Sequence, residues 1–358
     1  MSASRSMRSD SRARLPARSC MSTVWHREVS RGEELMHRHR LISMTDASAV
    51  PDERETYSYL GPAGTFTEAA LRQVEAARGQ VWRPVSNVGE ALADVTSGRS
   101  VAAMIAIENS IEGGVTASQD ALATIPGLRI AGEYEVSISF SLVVRPGTRL
   151  EDVRTVSAHP VAYGQCRRWL HLNIPGHEHV AANSNISSVN ALFDERSDID
   201  AAIAPHGVQD RFDVSVLGES IQDNQTARTR FALVSLSREL PARTGADKTS
   251  LIVELPEEFP GSLMVMLEQF ATRGVNLSMI TSRPLPDRIG SYRFVLDLDG
   301  HIDDARVADA LLGLRRFSPH VIFLGSYPRA DRKPVVVDAR WGDEHFGEAV
   351  NWLSSLRS

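Results

Sequence analysis

Short apolar runs and amphipathic stretches alternate along most of the chain. Residues 101–107 and 201–204 are continuous apolar runs, and 231–236 is an apolar run broken only by Ser235, each of the length of a buried strand. Further strands are predicted at 57–60, 128–132, 137–145, 178–182 and 214–217. Residues 88–97 and the segment ending near Phe193 carry helical spacing, and 155–172 reads as strand, loop and helix. Strands alternating with helices predict an α/β fold with largely parallel sheets. Two polar helix starts, at Thr65 and at Asn183-Ser184-Asn185, lie far apart in sequence. They predict two lobes that face each other across a cleft.

The pattern changes after residue 236. Residues 237–248 are polar, with Pro241 and Gly245, and read as a linker. Strands are then predicted at 249–255, 275–282, 292–298 and 321–324, and helices at 262–270 and 304–316. Ser262 is the expected cap of the first helix, and Leu263, Met266, Leu267 and Phe270 share one of its faces. The order βαββαβ is ferredoxin-like. The remainder, 331–358, is a tail with one helix expected at 346–356.

Composition narrows the class without choosing a chemistry. A net charge of −6 and the lack of a basic stripe argue against nucleic acid. No apolar stretch reaches the ~20 residues needed to span a bilayer. Residues 1–54, with arginines among Ser, Ala and Pro, read as a disordered N-terminal tail without a secretory core, and Met44 is an alternative start. Cys20 and Cys166 supply no disulfide framework, so a cytoplasmic setting is expected and Cys166 reads as a packed residue. His159, His206 and His301 form no metal-ligating cluster.

The polar groups that interrupt the apolar runs carry the chemistry. Gly61-Pro-Ala-Gly64 turns a strand into a helix at Thr65, and Thr65 with Glu68 fits a capping box. The sequence here fits neither the dinucleotide nor the P-loop pattern, so a carboxylate is the expected anion. The run 101–107 ends in Glu108-Asn109-Ser110, either a solvated turn or the ligand-binding end of a strand. Thr229-Arg230-Phe231 opens the run 231–236 and holds a hydroxyl and a guanidinium at the mouth of a rigid element.

Taken together, these pieces resemble one family. Tyr59-Leu-Gly-Pro-Ala-Gly-Thr-Phe-Thr67, Ile107-Glu-Asn-Ser-Ile-Glu-Gly113, His159-Pro160 with Gln165-Cys166, Ile221-Gln-Asp223 and Thr229-Arg-Phe231 are similar, in order, to the prephenate dehydratases, here of the actinobacterial type. Pro260-Gly-Ser-Leu263, Gly274-Val-Asn-Leu277 and Ser282-Arg-Pro284 are similar to that family's ACT regulatory domain. The resemblance implies a two-lobed, periplasmic-binding-protein-like catalytic domain at 55–236, then a ferredoxin-like ACT domain at 249–330. It implies decarboxylative dehydration of prephenate to phenylpyruvate, in phenylalanine biosynthesis, without metal or redox cofactor.

By position, the resemblance implies catalytic roles for Thr229, Arg230, Asn109 and Gln165. It implies substrate contacts for Thr65, Glu108, Ser110, Ser184, Asn185 and Phe231. Phenylalanine as effector would be held by Gly261, Ser262, Leu263, Asn276, Leu277, Ser282 and Arg283, in a homodimer or homotetramer. Ser262 and Thr281 stand where the family commonly has alanine and glutamate. The alternatives are a prephenate decarboxylase of a specialised pathway and a non-catalytic amino-acid sensor.

Overall fold

The computed structural model describes residues 54–255, 259–285 and 288–357. The segment expected to be a disordered tail lies outside the described residues up to residue 53, and with it Cys20 and Met44.

The first lobe contains β1 (Thr56–Leu60), α1 (Phe66–Leu71), β2 (Val81–Val85) and α2 (Val88–Thr96). It continues through β3 (Ala102–Asn109), the short β4 (Gly113–Gly114), α3 (Thr116–Thr124) and β5 (Arg129–Ser137). The second lobe holds β6 (Phe140–Val144), β7 (Thr155–Ala158), α4 (Pro160–Gln165) and α5 (Arg167–Asn173). Then come β8 (Glu178–Ala181), α6 (Asn185–Ala191), β9 (Ala201–Pro205) and β10 (Ser215–Gly218), after which the chain returns to the first lobe as β11 (Arg228–Ser235).

Each lobe is built on a parallel triplet widened by antiparallel strands. The first sheet runs β2-β1-β3-β11-β5, with β2, β1 and β3 parallel. The second runs β10-β6-β9-β7-β8, with β9, β7 and β8 parallel. The late strand β11 is inserted between β3 and β5, so residues 228–235 occupy the centre of the first lobe.

One predicted strand divides, and two elements appear that the sequence pattern does not predict. The single strand expected at 137–145 is two strands in different lobes, broken at Ile138-Ser139. Ile138 is buried at this crossing, so the apolar pattern runs on through the break. The strand β2 was not predicted because Pro84 interrupts it. It lies at the sheet edge, where a residue without an N–H is tolerated. The helix α3 was missed because Ser118 and Gln119 lie among its buried residues, which leaves its apolar stripe thin.

The C-terminal module comprises β12 (Asp247–Glu254), α7 (Ser262–Ala271), β13 (Leu277–Leu285), β14 (Arg288–Asp299), α8 (Ala305–Phe317) and β15 (Val321–Pro328). Its sheet order, β13-β14-β12-β15, is that of the expected βαββαβ fold. The position before α7 is Gly261 in the left-handed region, φ 97°, with no side-chain cap. Ser262 is therefore the first helical residue and not the cap. The helix α9 (Asp343–Ser355) follows.

The two faces of this C-terminal sheet have different partners. Leu251, Val253, Leu296 and Leu298 pack beneath α7 and α8 against Met266, Phe270 and Leu314. Ile252, Val295, Leu324 and Tyr327 instead join the core of the first lobe, with Ile105, Leu128, Ile130 and Val234. At Gly325, φ 142°, a β-carbon would stand 2.6 Å from the Ile130 carbonyl oxygen, so only glycine permits this approach of β15 to β5.

Candidate active site

A cavity of about 720 Å³ lies between the lobes. The first lobe contributes Gly61, Thr65, Phe66, Pro84, Ser86, Thr229 and Phe231, and the second contributes His159, Asn183, Ser184, Asn185 and Ser187. None of the residues that line it is Asp, Glu, Lys or Arg. The volume suits one small ligand. Phe66 crosses the gap and meets Phe140 of the other lobe edge to face, with ring centroids 5.5 Å apart.

The hydroxyl of Thr229 is fixed by its neighbours. Residues 229 and 109 are paired across β11 and β3, and Asn109 Nδ2 donates to Thr229 Oγ1 over 3.1 Å. Asn109 Oδ1 accepts from the Ile111 and Glu112 amides, which sets the amide orientation and leaves its NH₂ towards the hydroxyl. Ser110 does not line the cavity. It accepts from the Arg228 amide at 3.0 Å and so steadies the residue preceding Thr229.

The two polar helix starts meet at the same cavity. Thr65 caps α1, accepting from the Glu68 amide and donating to the Leu60 carbonyl. The capping box is half made, because the Glu68 carboxylate accepts from the Gly64 amide rather than from that of Thr65. Glu68 also binds Arg72, at 2.9 Å, and Arg211 of the other lobe, at 2.8 Å. Burial pushes the Glu68 carboxyl up, but Arg211, the Gly64 amide and Arg72 outweigh it and hold the group below its ordinary value. Ser184 caps α6 in a reciprocal box with Ser187. Asn185 Oδ1 accepts from the His159 amide.

Several expected site residues lie elsewhere. Arg230 follows Thr229 on the strand and therefore faces away from the cavity. Its guanidinium is buried against Glu108 (3.0 Å), Glu133 (2.9 Å) and Asp297 of the C-terminal sheet (2.6 Å), so it cannot polarise Thr229 directly. Burial opposes its charge, yet Asp297 and Glu133 raise its pKa well above the usual arginine value. Glu108 is committed to Arg230 and does not line the cavity. Gln165 is buried, but it is not among the lining residues either. Cys166 is buried, and burial pushes its thiol up, consistent with a packed role.

The residues expected to hold an effector are divided. Gly261 opens α7, and Leu263 and Ser282 are exposed. Asn276 donates to Asp299, and Leu277 begins the edge strand β13 and packs into the module core. Arg283 departs from the expectation: it makes a two-pronged bond to Asp120 on α3, at 3.2 and 2.8 Å. That bond, with burial opposing and Arg293 assisting, holds the Asp120 carboxyl low.

His159, Phe66 and Asn183 line the cavity without having been singled out as site residues. His159 was visible in the His-Pro pair, whereas nothing local in the sequence marks Phe66. Asp120, Glu133, Lys248 and Asp297, which join the first lobe to the C-terminal sheet, are ordinary charged positions until the sheets are brought together.

The pattern of the family described as Prephenate dehydratase matches residues 57–239. A prephenate dehydratase of Mycolicibacterium gilvum is 40% identical over 314 residues, spanning 84% of this chain and 97% of the relative. A solved prephenate dehydratase of Arthrobacter aurescens, in complex with L-Phe, has a TM-score of 0.80 and 49% identity, with coverage of 84% and 99%. GqqA, described as a novel type of quorum quenching acylase, has a TM-score of 0.67 and 29% identity, with coverage of 78% and 100%.

Proposed function

The chain belongs to the prephenate dehydratase family, and from that premise we propose that the cavity between its lobes is where prephenate is aromatised, with Thr229 as proton donor. Prephenate loses its ring carboxylate as CO₂ and its ring hydroxyl as water, leaving phenylpyruvate. The electron pair of the breaking C–C bond enters the ring as the C–O bond breaks. The departing hydroxyl takes the Thr229 proton, and solvent restores it. Aromatisation drives the step, so the protein chiefly positions the substrate and assists the leaving group.

A single observation carries this reading: Thr229 Oγ1 accepts from Asn109 Nδ2 beside the cavity. An accepted bond leaves the hydroxyl proton free to be donated. It also stabilises the alkoxide that develops as the proton leaves, which matters because threonine is a weak acid. General-acid assistance of this kind typically contributes ~10²–10⁴-fold.

The uncharged lining supports the same reading. A carboxylate held by an arginine clamp would be stabilised in the ground state and slow to leave as CO₂. The Ser86 hydroxyl and the Asn183 and Asn185 amides orient the substrate without that penalty. A decarboxylase that keeps the ring hydroxyl has no use for a donor at Thr229. The test is turnover of prephenate by the purified protein, read as phenylpyruvate absorbance; no product would overturn the reading, and a sensor would bind without turnover.

Control by phenylalanine is part of the proposal. The Arthrobacter aurescens relative was solved with L-Phe, and here Gly261 has the left-handed backbone that leaves main-chain groups open to an amino-acid head. The strand β13 is a sheet edge, suited to pairing with a second copy in a homodimer or homotetramer. No described helix is long and apolar enough to cross a membrane, and we place the enzyme in the cytoplasm. Calorimetry with phenylalanine on the wild type and on Gly261→Val, with the mass in solution, tests the effector site and the assembly. Absence of binding heat at millimolar phenylalanine would leave the module structural.

A further inference from the structure

We propose that Arg230 is a positioning residue. It ties the C-terminal sheet to the strand that carries Thr229, and the placement of the Thr229 hydroxyl depends on that tie through Glu108 and Asn109. The inference rests on the reading of Thr229 as proton donor.

The geometry first excludes substrate contact. The Arg230 side chain is 7% exposed, and its three nitrogens are taken by Glu108, Glu133 and Asp297. Nη2 also approaches the Met279 sulfur at 3.2 Å. None of these partners lines the cavity.

The geometry then places Arg230 where the backbone needs support. The register between β11 and β3 slips between Arg230 and Phe231, so the bulge adjoins the pair Arg230↔Glu108 and lies one step from Thr229↔Asn109. A bulge interrupts the ladder and re-aims nearby side chains, leaving side-chain bonds to settle the local direction. Arg230 Nε holds Glu108, the residue before Asn109, and Asn109 in turn holds Thr229. One guanidinium therefore fixes both strands where donor and stabiliser meet.

The other end of the tie is in the C-terminal module. Asp297 on β14 accepts from Ser250 on β12, and Ser250 meets the buried Tyr327 hydroxyl on β15 at 2.6 Å. Lys248 on β12 grips both oxygens of Glu133, at 3.1 and 2.9 Å, and the Ala330 amide adds a third bond. Three strands of the module thus converge on the groups that orient Arg230. A buried network of paired charges of this type specifies one arrangement more than it adds stability.

The experiment is a double-mutant cycle of Asp297→Asn with Thr229→Val, measuring kcat, KM and thermal unfolding. Asp297→Asn keeps the side-chain shape and touches neither the cavity nor Thr229. It is expected to lower kcat roughly tenfold with KM within about twofold, and to have no further effect in the Thr229→Val background. An unchanged kcat in folded Asp297→Asn, or an equal loss in both backgrounds, overturns the positioning role. Arg230→Lys provides the second arm: a large rise in KM without loss of kcat would make Arg230 a substrate contact and overturn the proposal. Thr229→Val with full kcat would defeat the proton-donor reading instead, so the two failures are separable.

Discussion

Glu68 of the first lobe and Arg211 of the second meet at 2.8 Å beside the cavity, and the same carboxylate holds the Gly64 amide at the turn before Thr65. One ion pair thus joins the lobes and braces a wall of the cleft. Because the folded pKa of Glu68 is depressed from 4.5, its contribution to stability is present above that value and is lost as pH falls through the lower folded value. Arg211→Ala is expected to cost about 1 kcal/mol at neutral pH, since the pair is only partly exposed. Urea unfolding at several pH values checks it: the gap between variant and wild type should close as pH drops below 4.5.

Thr229→Val removes the hydroxyl and little volume. We expect kcat to fall by roughly 10²–10⁴ with KM nearly unchanged, because the hydroxyl acts mainly in the transition state. A loss confined to KM would make Thr229 a binding residue. Steady-state kinetics with prephenate decide between these.

Asn109→Ala deletes the donor to Thr229 while leaving the hydroxyl. The expected loss is roughly 10–100-fold in kcat, the worth of ~1–3 kcal/mol for a hydrogen bond to a developing charge. In a Thr229→Val background the same change should cost little more. Equal losses in both backgrounds would separate Asn109 from the proton-donor step.

Asp120→Ala cuts the bond from α3 to Arg283 on the edge strand of the C-terminal module. With phenylalanine as effector, its inhibitory concentration should rise about fivefold or more, the scale of a lost ~1–3 kcal/mol coupling. Turnover without phenylalanine should stay within about twofold. An unchanged phenylalanine response would show that this bond does not carry the signal.

Much of this architecture could be read from apolar periodicity. The alternation of strands and helices and the βαββαβ order follow from runs such as 101–107 and 231–236, because buried strands favour apolar sequence, whereas the stretch expected as a linker at 237–248 ends early, since β12 begins at the buried Asp247. Thr229, Thr65 and Ser184 were legible as polar groups at the ends of such runs, and all three line the cavity. The surroundings of Arg230 are not legible from its place beside Thr229, because neighbours on a strand face opposite ways. Its partners, Glu133 on β5 and Asp297 on β14, belong to elements that local patterning does not bring together. The split of 137–145 was hidden for the reverse reason: Ile138 stays buried across the crossing, so burial gave no sign of the change of lobe.

The seating of Gly325 on Ile130 bears on how such enzymes can be recombined. Because Ile252, Val295, Leu324 and Tyr327 complete a core begun by the first lobe, the boundary at 237–248 separates stretches of chain but not independent bodies. A protein truncated there would present the apolar back of its first sheet to water and should aggregate. Exchanging C-terminal modules between relatives therefore requires exchanging the mating residues of β3, β5 and β11 as well.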